Sequence, residues 1–281
     1  MRIANLSGRL VLITEHGTAV DVEQLSEGRF SADPQAVYPR WAEFRAWAAT
    51  AELADGVPFS ATDLGAPAPA PRQILAIGLN YRDHAAESGF AVPDGLPPVF
   101  TKFVSSLTGP VTDVALPADG QTDWEVELVA VIGAPAYRVA EENAWDHVAG
   151  LTVGQDISER RTQLAGPVPQ FSLGKSYPGF APTGPYLVTA DSFDDPDDLA
   201  LGCSINGEDV QKGRTSELLL SVPVLIARLS AVLPLSPGDI LFTGTPAGVG
   251  LGRKPQRWLA DGDELVSYVT GIGELRQRFH I

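Results

Sequence analysis

The sequence predicts a mostly β protein with some α (α+β), a fold class that follows from three observations. From Ile74 onward, short apolar runs alternate with Gly/Pro turns. Few stretches carry the 3.6-residue spacing of an amphipathic helix. A Pro/Ala-rich run, residues 66–72, stands apart from both patterns and reads as a linker between residues 1–65 and residues 73–281.

In the leading unit, RLVLIT (9–14) and TAVDV (18–22) read as two strands joined by a turn around Gly17. WAEFRAWAAT (41–50) has helical spacing, and Asp55-Gly56 closes it. In the main unit, ILAIGL (74–79), VELVAVIG (126–133), LTVG (151–154), YLVT (186–189), LGCSI (201–205), DILFTG (239–244) and ELVSYV (264–269) read as strands. Asn206-Gly207 predicts a tight hairpin turn. EENAWDHV (141–148) and PVLIARLSAV (223–232) are the clearest helices, the second with Pro223 in its first turn.

Composition narrows the function. Hydrophobic residues make up 44% of the 281 and charged residues 20%, which suits a folded globular chain. The formal charge of −15 disfavours nucleic acid and an anionic membrane surface as partners. No apolar run is long enough to span a bilayer. The one cysteine, Cys203, excludes an intrachain disulfide and, with no signal-peptide core at the N-terminus, suits a reducing cytoplasm.

Five segments carry candidate chemistry. In WEVELVAVIG (124–133), Glu125 and Glu127 fall on one strand face at the mouth of an apolar segment. A hard cation would relieve their repulsion; two solvated glutamates on an edge strand are the alternative. In LTVGQDISERRTQ (151–163), Asp156 follows an apolar strand. It is either a helix N-cap or a third carboxylate, and three carboxylates with water are a usual protein share for Mg²⁺ or Mn²⁺, with Ca²⁺ also allowed. In GLNYRDHAAESG (78–89), His84 and Glu87 stand three apart, as a general-base pair or as a surface contact. Lys175, in SLGKSYPGFAPTGP (172–185), is an oxyanion or carboxylate binder, or an exposed loop lysine. PGDILFTGTPAGVG (237–250) runs a strand into a Gly/Thr-rich loop that offers N–H groups to an anion, or is an ordinary turn.

Several look-alikes fail. Gly174-Lys175-Ser176 lacks the upstream glycine of a phosphate-binding loop, because Pro169 stands there. DSFDDPDD (191–198) lacks the central glycine and distal glutamate of a calcium loop. Cys203 reads as a buried, inert thiol, and His16, His147 and His280 as surface residues.

Taken together, IGLNYRDHAAESG, PPVFTKF, WEVELVAVIG, VGQDISERRTQ, LGKSYPGFAPTGP, INGEDVQ and LSPGDILFTGTPAGVG resemble the fumarylacetoacetate hydrolase family, in its order and spacing, over about residues 74–281. The resemblance implies a β-roll catalytic domain, behind a small N-terminal α/β domain, in a homodimer. It implies a Mg²⁺- or Mn²⁺-type ion on Glu125, Glu127 and Asp156, with His84 and Glu87 as a water-activating pair. It also implies Arg160, Gln163 and Lys175 as binders of the substrate's carboxylate and oxyanion, and Thr245 as part of the anion loop. Two departures stand near the implied substrate end: Arg161 where an acid is usual, and Tyr177, Pro178 and Gly179 where an acid and Thr follow the lysine. The expected activity is metal-dependent C–C hydrolysis of a 2,4-dioxo acid. The alternative is decarboxylation, isomerisation or tautomerisation of a keto acid such as oxaloacetate at the same site.

Overall fold

The computed structural model describes residues 1–53, 56–89, 91 and 95–281, so Asp55, expected to close the first helical stretch, lies outside the described residues. The fold is mixed, and sheets dominate it. The larger sheet has 11 strands; its main path runs Ala19–Asp21, Arg9–Ile13, Arg2–Leu6, Ala181–Val188, Val148–Gln155, Val126–Ile132, Ile240–Phe242, Ile74–Ile77, Val99–Thr101. A 5-stranded sheet runs Glu208–Arg214, Ala200–Ile205, Glu264–Val269, Gly273–His280, Val111–Ala115. The predicted hairpin joins Ala200–Ile205 to Glu208–Arg214, with Asn206 at φ 51° and Gly207 at φ 83°, both in the left-handed region its turn requires.

Val126–Ile132 is buried along its whole length, which explains why its sequence does not alternate. Val126, Leu128, Ala130 and Ile132 share one core with Leu201, Ile205, Leu265 and Leu275 of the smaller sheet. Val129 and Val131 point the other way, into a second core with Tyr38, Phe44, Ile240 and Phe242. Glu127 has the parity of Val129 and Val131, so it starts the strand on that second face.

The leading residues enter the same architecture. Arg2–Leu6 pairs antiparallel with Ala181–Val188. Ile3, Leu10, Phe30, Trp41 and Phe44 bury against Val129, Ala181 and Phe242. Sheet and core therefore run past residues 66–72 rather than stopping there. Residues 1–65 carry four short strands and the helices Val22–Leu25 and Trp41–Ala48, and they bury a small apolar cluster of their own, Ala4, Val11, Ile13, Ala19 and Leu64, beside that shared core.

A Cβ added at Gly154 would collide with Val129 Cγ2 and reach 2.6 Å from Phe242 Cε1. Gly154→Val is expected to destabilise the chain by about 1–3 kcal/mol through overpacking, read as a lower urea midpoint. An unchanged midpoint would mean that this strand does not pack as described.

Candidate active site and metal centre

The antiparallel register between Val126–Ile132 and Val148–Gln155 builds the carboxylate cluster. Val126 pairs with Gln155 and Glu127 with Gly154. One step further out, the Asp156 N–H donates to the Glu125 carbonyl at 2.9 Å, so Asp156 lies across from Glu125. Glu125, Glu127 and Asp156 are all buried, and each offers an oxygen within 4.8 Å of the other two. Sequence reasoning placed two of them by strand parity; the ladder brings the third.

Three cations are buried with them. Lys175 Nζ donates to Glu125 Oε2 and Asp156 Oδ2, each at 2.8 Å. Arg160 Nη2 donates to Glu125 Oε1 at 2.6 Å, and its Nε lies 2.7 Å from Asp123 Oδ1. Lys102 Nζ reaches Asp156 Oδ1 at 2.5 Å and the Lys175 carbonyl. Burial works against a charge on Glu125, but Lys175, Arg160 and His84 outweigh it and hold its carboxyl below the usual range. Burial also opposes the charge on Lys175, yet Asp156 and Glu125 raise its pKa. On Lys102 burial wins and lowers it. Asp123 is pushed up to about 6 by burial, against Arg160.

Glu127 differs from its neighbours. It accepts from the Gly244 N–H at 2.6 Å and, among the described residues, contacts no lysine or arginine. Burial, then Asp156 and Glu125, push its carboxyl well above the usual range. A buried all-oxygen donor set holding one carboxylate without a counter-charge fits a hard divalent cation.

His84 and Glu87 lie on the short helix Arg82–Glu87. Asn80 fixes the segment leading into it: its Nδ2 donates to the Leu220 and Thr243 carbonyls, and its Oδ1 accepts from the Leu220 N–H. Glu87 Oε1 is 2.9 Å from His84 Nδ1. The same carboxylate accepts from the Gly248 N–H at 2.9 and 3.0 Å. Within the loop expected to offer amides to an anion, the Gly248 amide is taken by the protein's own Glu87 carboxylate. Gly252 lets the loop approach: an added Cβ there would stand 2.9 Å from Glu87 Cγ, Cδ and Oε2. The Leu251 N–H donates to Asp123 Oδ2 at 2.8 Å, tying this loop to Arg160.

These groups converge on a cavity of about 310 Å³ whose wall includes His84, Glu87, Glu125, Arg160, Gln163 and Lys175. Gln163 accepts from Arg160 Nη1 at 2.8 Å. Thr245 is not on this wall. Its hydroxyl donates to the Val126 carbonyl and accepts from Gln211 Nε2, each at 2.8 Å, so it splints the loop to the strand. Arg161 is exposed, while Tyr177 bonds Thr162 and packs on Phe180; neither departure from the family pattern touches the cavity. Cys203 is buried and its thiol is pushed up by burial. A larger cavity, about 580 Å³, lies among Arg9, Val11, Asp21, Val57 and Phe59 of the leading strands, where Arg9 is already paired with Asp21 at 2.6 Å.

Sequence reasoning assigned no role to Lys102, Asp123 or Asn80. Asp123 had a signal: in DWEVE it is the next residue of the same parity as Glu125 and Glu127. Lys102 had one too, as a lone charge inside VFTKF.

The family model for the fumarylacetoacetate (FAA) hydrolase C-terminal domain matches residues 73–280, and the chain belongs to this family. It is 42% identical over 218 residues, 77% of this chain and 69% of the other, to a human protein named oxaloacetate tautomerase FAHD2A, mitochondrial. That protein's location differs from the cytoplasm expected here; in this chain, no helix among the described residues is long and apolar enough to cross a membrane. Among solved structures, a putative HpcE protein from Mycobacterium smegmatis is 56% identical at TM-score 0.95, covering 100% of this chain and 99% of that one. Fumarylpyruvate hydrolase from Pseudomonas aeruginosa, solved with Mn²⁺ and pyruvate, is 31% identical at TM-score 0.69, covering 75% of this chain and 90% of that one.

Glu127→Gln should act in opposite directions with and without metal. Burial, Asp156 and Glu125 disfavour an ionisable group there, so a neutral amide should raise the melting temperature of the metal-free protein by on the order of 2–4 °C. The same change should weaken Mn²⁺ binding by about 10–100-fold in calorimetry. Unchanged Mn²⁺ affinity would remove Glu127 from the donor set.

Proposed function

We propose that this chain moves a proton at the carbon beside the 2-oxo group of a small anionic acid, interconverting its keto and enol forms at a divalent-metal site. The carrying observation is that the His84–Glu87 pair shares one cavity with Glu125, Arg160 and Lys175. Glu125, Glu127 and Asp156 would hold Mg²⁺ or Mn²⁺, which supplies Lewis-acid polarisation of the 2-oxo group.

The remaining work falls to side chains. Glu87, held by the Gly248 amide, accepts from His84 Nδ1 and leaves Nε2 free as the base. Nε2 takes the proton from C3. The C–H pair becomes the C2–C3 double bond, the C=O π pair moves onto oxygen, and the proton held by His84 is returned to that oxygen, completing the enol and restoring the base. Glu87 stabilises the imidazolium formed in between. Lys175 and Arg160 counter the charge on Glu125.

A second reading is hydrolytic C–C cleavage of a 2,4-dioxo acid. It is favoured by the same pair, which can equally deprotonate water, and by a cavity roomier than a four-carbon acid needs. Keto-acid decarboxylation is a third outcome at the same site. Unchanged substrate mass with deuterium entering C3 supports tautomerisation; two carbon fragments with ¹⁸O in the acid product support hydrolysis; released CO₂ supports decarboxylation. We also propose the homodimer that the resemblance implies, read by sedimentation.

His84→Ala should lower kcat by about 10²–10⁴-fold while Mn²⁺ binding is unchanged. EDTA should abolish turnover, and Mn²⁺ or Mg²⁺ should restore it. Full C3 exchange in His84→Ala, or full activity in EDTA, would overturn the scheme.

A further inference from the structure

We infer that the acid this cavity takes carries an apolar arm rather than a second carboxylate, a reading that rests on the proposed function and names its substrate class. Among the described residues the cavity wall holds two cations, Arg160 and Lys175. Both are already engaged. Arg160 gives Nη1 to Gln163 and Nη2 to Glu125, and its Nε lies 2.7 Å from Asp123 Oδ1. Lys175 Nζ bridges Glu125 and Asp156. With a divalent ion, this end can bind one carboxylate and its 2-oxo oxygen.

The rest of the wall is a different surface. Leu79, Phe100, Leu164, Phe171 and Leu251 line it, with neutral Ser88 and Gln256. Phe100 and Phe171 meet edge to face, centroids 5.6 Å apart. Lys175 Nζ stands 5.1 Å from the Phe100 ring centroid, so the aromatic pair begins where the charged cluster ends. Leu79 holds a left-handed backbone at φ 59°, an uncommon and costly state for a bulky residue. Such strain at a cavity wall points to a role for the side chain there. A carboxylate placed against this surface would lose hydration and find no cation. An apolar arm would bury itself on it. A cavity of about 310 Å³ is at the small end for ligand sites, which suits an arm of about four to seven carbons.

The test compares two stable acids of matched shape on the Mn²⁺-loaded protein: 5-methyl-2-oxohexanoate, whose arm ends in an isopropyl group, and 2-oxoglutarate, whose arm ends in a carboxylate. Calorimetry should show the apolar acid binding about tenfold tighter. Leu164→Arg, which adds a cation at a 41% exposed wall position, should reverse that order. Equal or tighter binding of 2-oxoglutarate by the unmodified protein, or no binding of either acid, overturns the inference. Deuterium exchange at C3, followed separately, reports on the proposed function. Preferred binding of the apolar acid without exchange would sink that function and leave the inference standing.

Discussion

One pairing underlies everything at the site: the antiparallel register between Val126–Ile132 and Val148–Gln155. Because side chains alternate, a slip of one residue would send Glu125 and Glu127 into the apolar cluster of Leu201 and Leu265 and remove Asp156 from its place. Gln155 holds this register from two sides. Its Oε1 accepts from the Glu125 N–H at 2.9 Å, and its Nε2 donates to Ser267 Oγ of the smaller sheet at 2.8 Å. The carboxylates are thus located by backbone ladders and a buried amide rather than by loops, which suits a site needing fixed geometry.

Charge explains the rest of the neighbourhood. Asp123, Glu125, Glu127 and Asp156 face Lys102, Arg160 and Lys175, four acidic groups against three basic ones in a buried volume. A divalent ion held there would add positive charge, and an anionic acid would then meet a complementary field. Lys102, Arg160 and Lys175 pair with this carboxylate cluster, and on the inference drawn above the far wall, rather than these cations, would select the rest of the acid.

Much of this was legible from residues. The parity of Glu125 and Glu127, the i,i+3 spacing of His84 and Glu87, and the Asn206-Gly207 hairpin are local periodicities, and local geometry reproduces them. What was not legible depends on distant partners. Thr245 was implied by the family resemblance as part of the anion loop; in the fold its hydroxyl is shared between Val126 and Gln211. The loop's composition suggests an anion, yet nothing local says that the Gly248 amide meets Glu87, 161 residues earlier. The leading 65 residues have strand and helix signals of their own, and only the finished sheet shows that Arg2–Leu6 pairs with Ala181–Val188. Arg161 and Tyr177 stand out in a motif comparison, but their side chains leave the cavity.

Leu79 has a consequence for how this chain can change. Its left-handed backbone would suit glycine or asparagine better, so replacing it should make the folded state easier to reach. Selection for heat tolerance alone would find that position early, and would erode the apolar wall as it did so. Leucine at this position therefore trades backbone ease for an apolar side chain on the cavity wall.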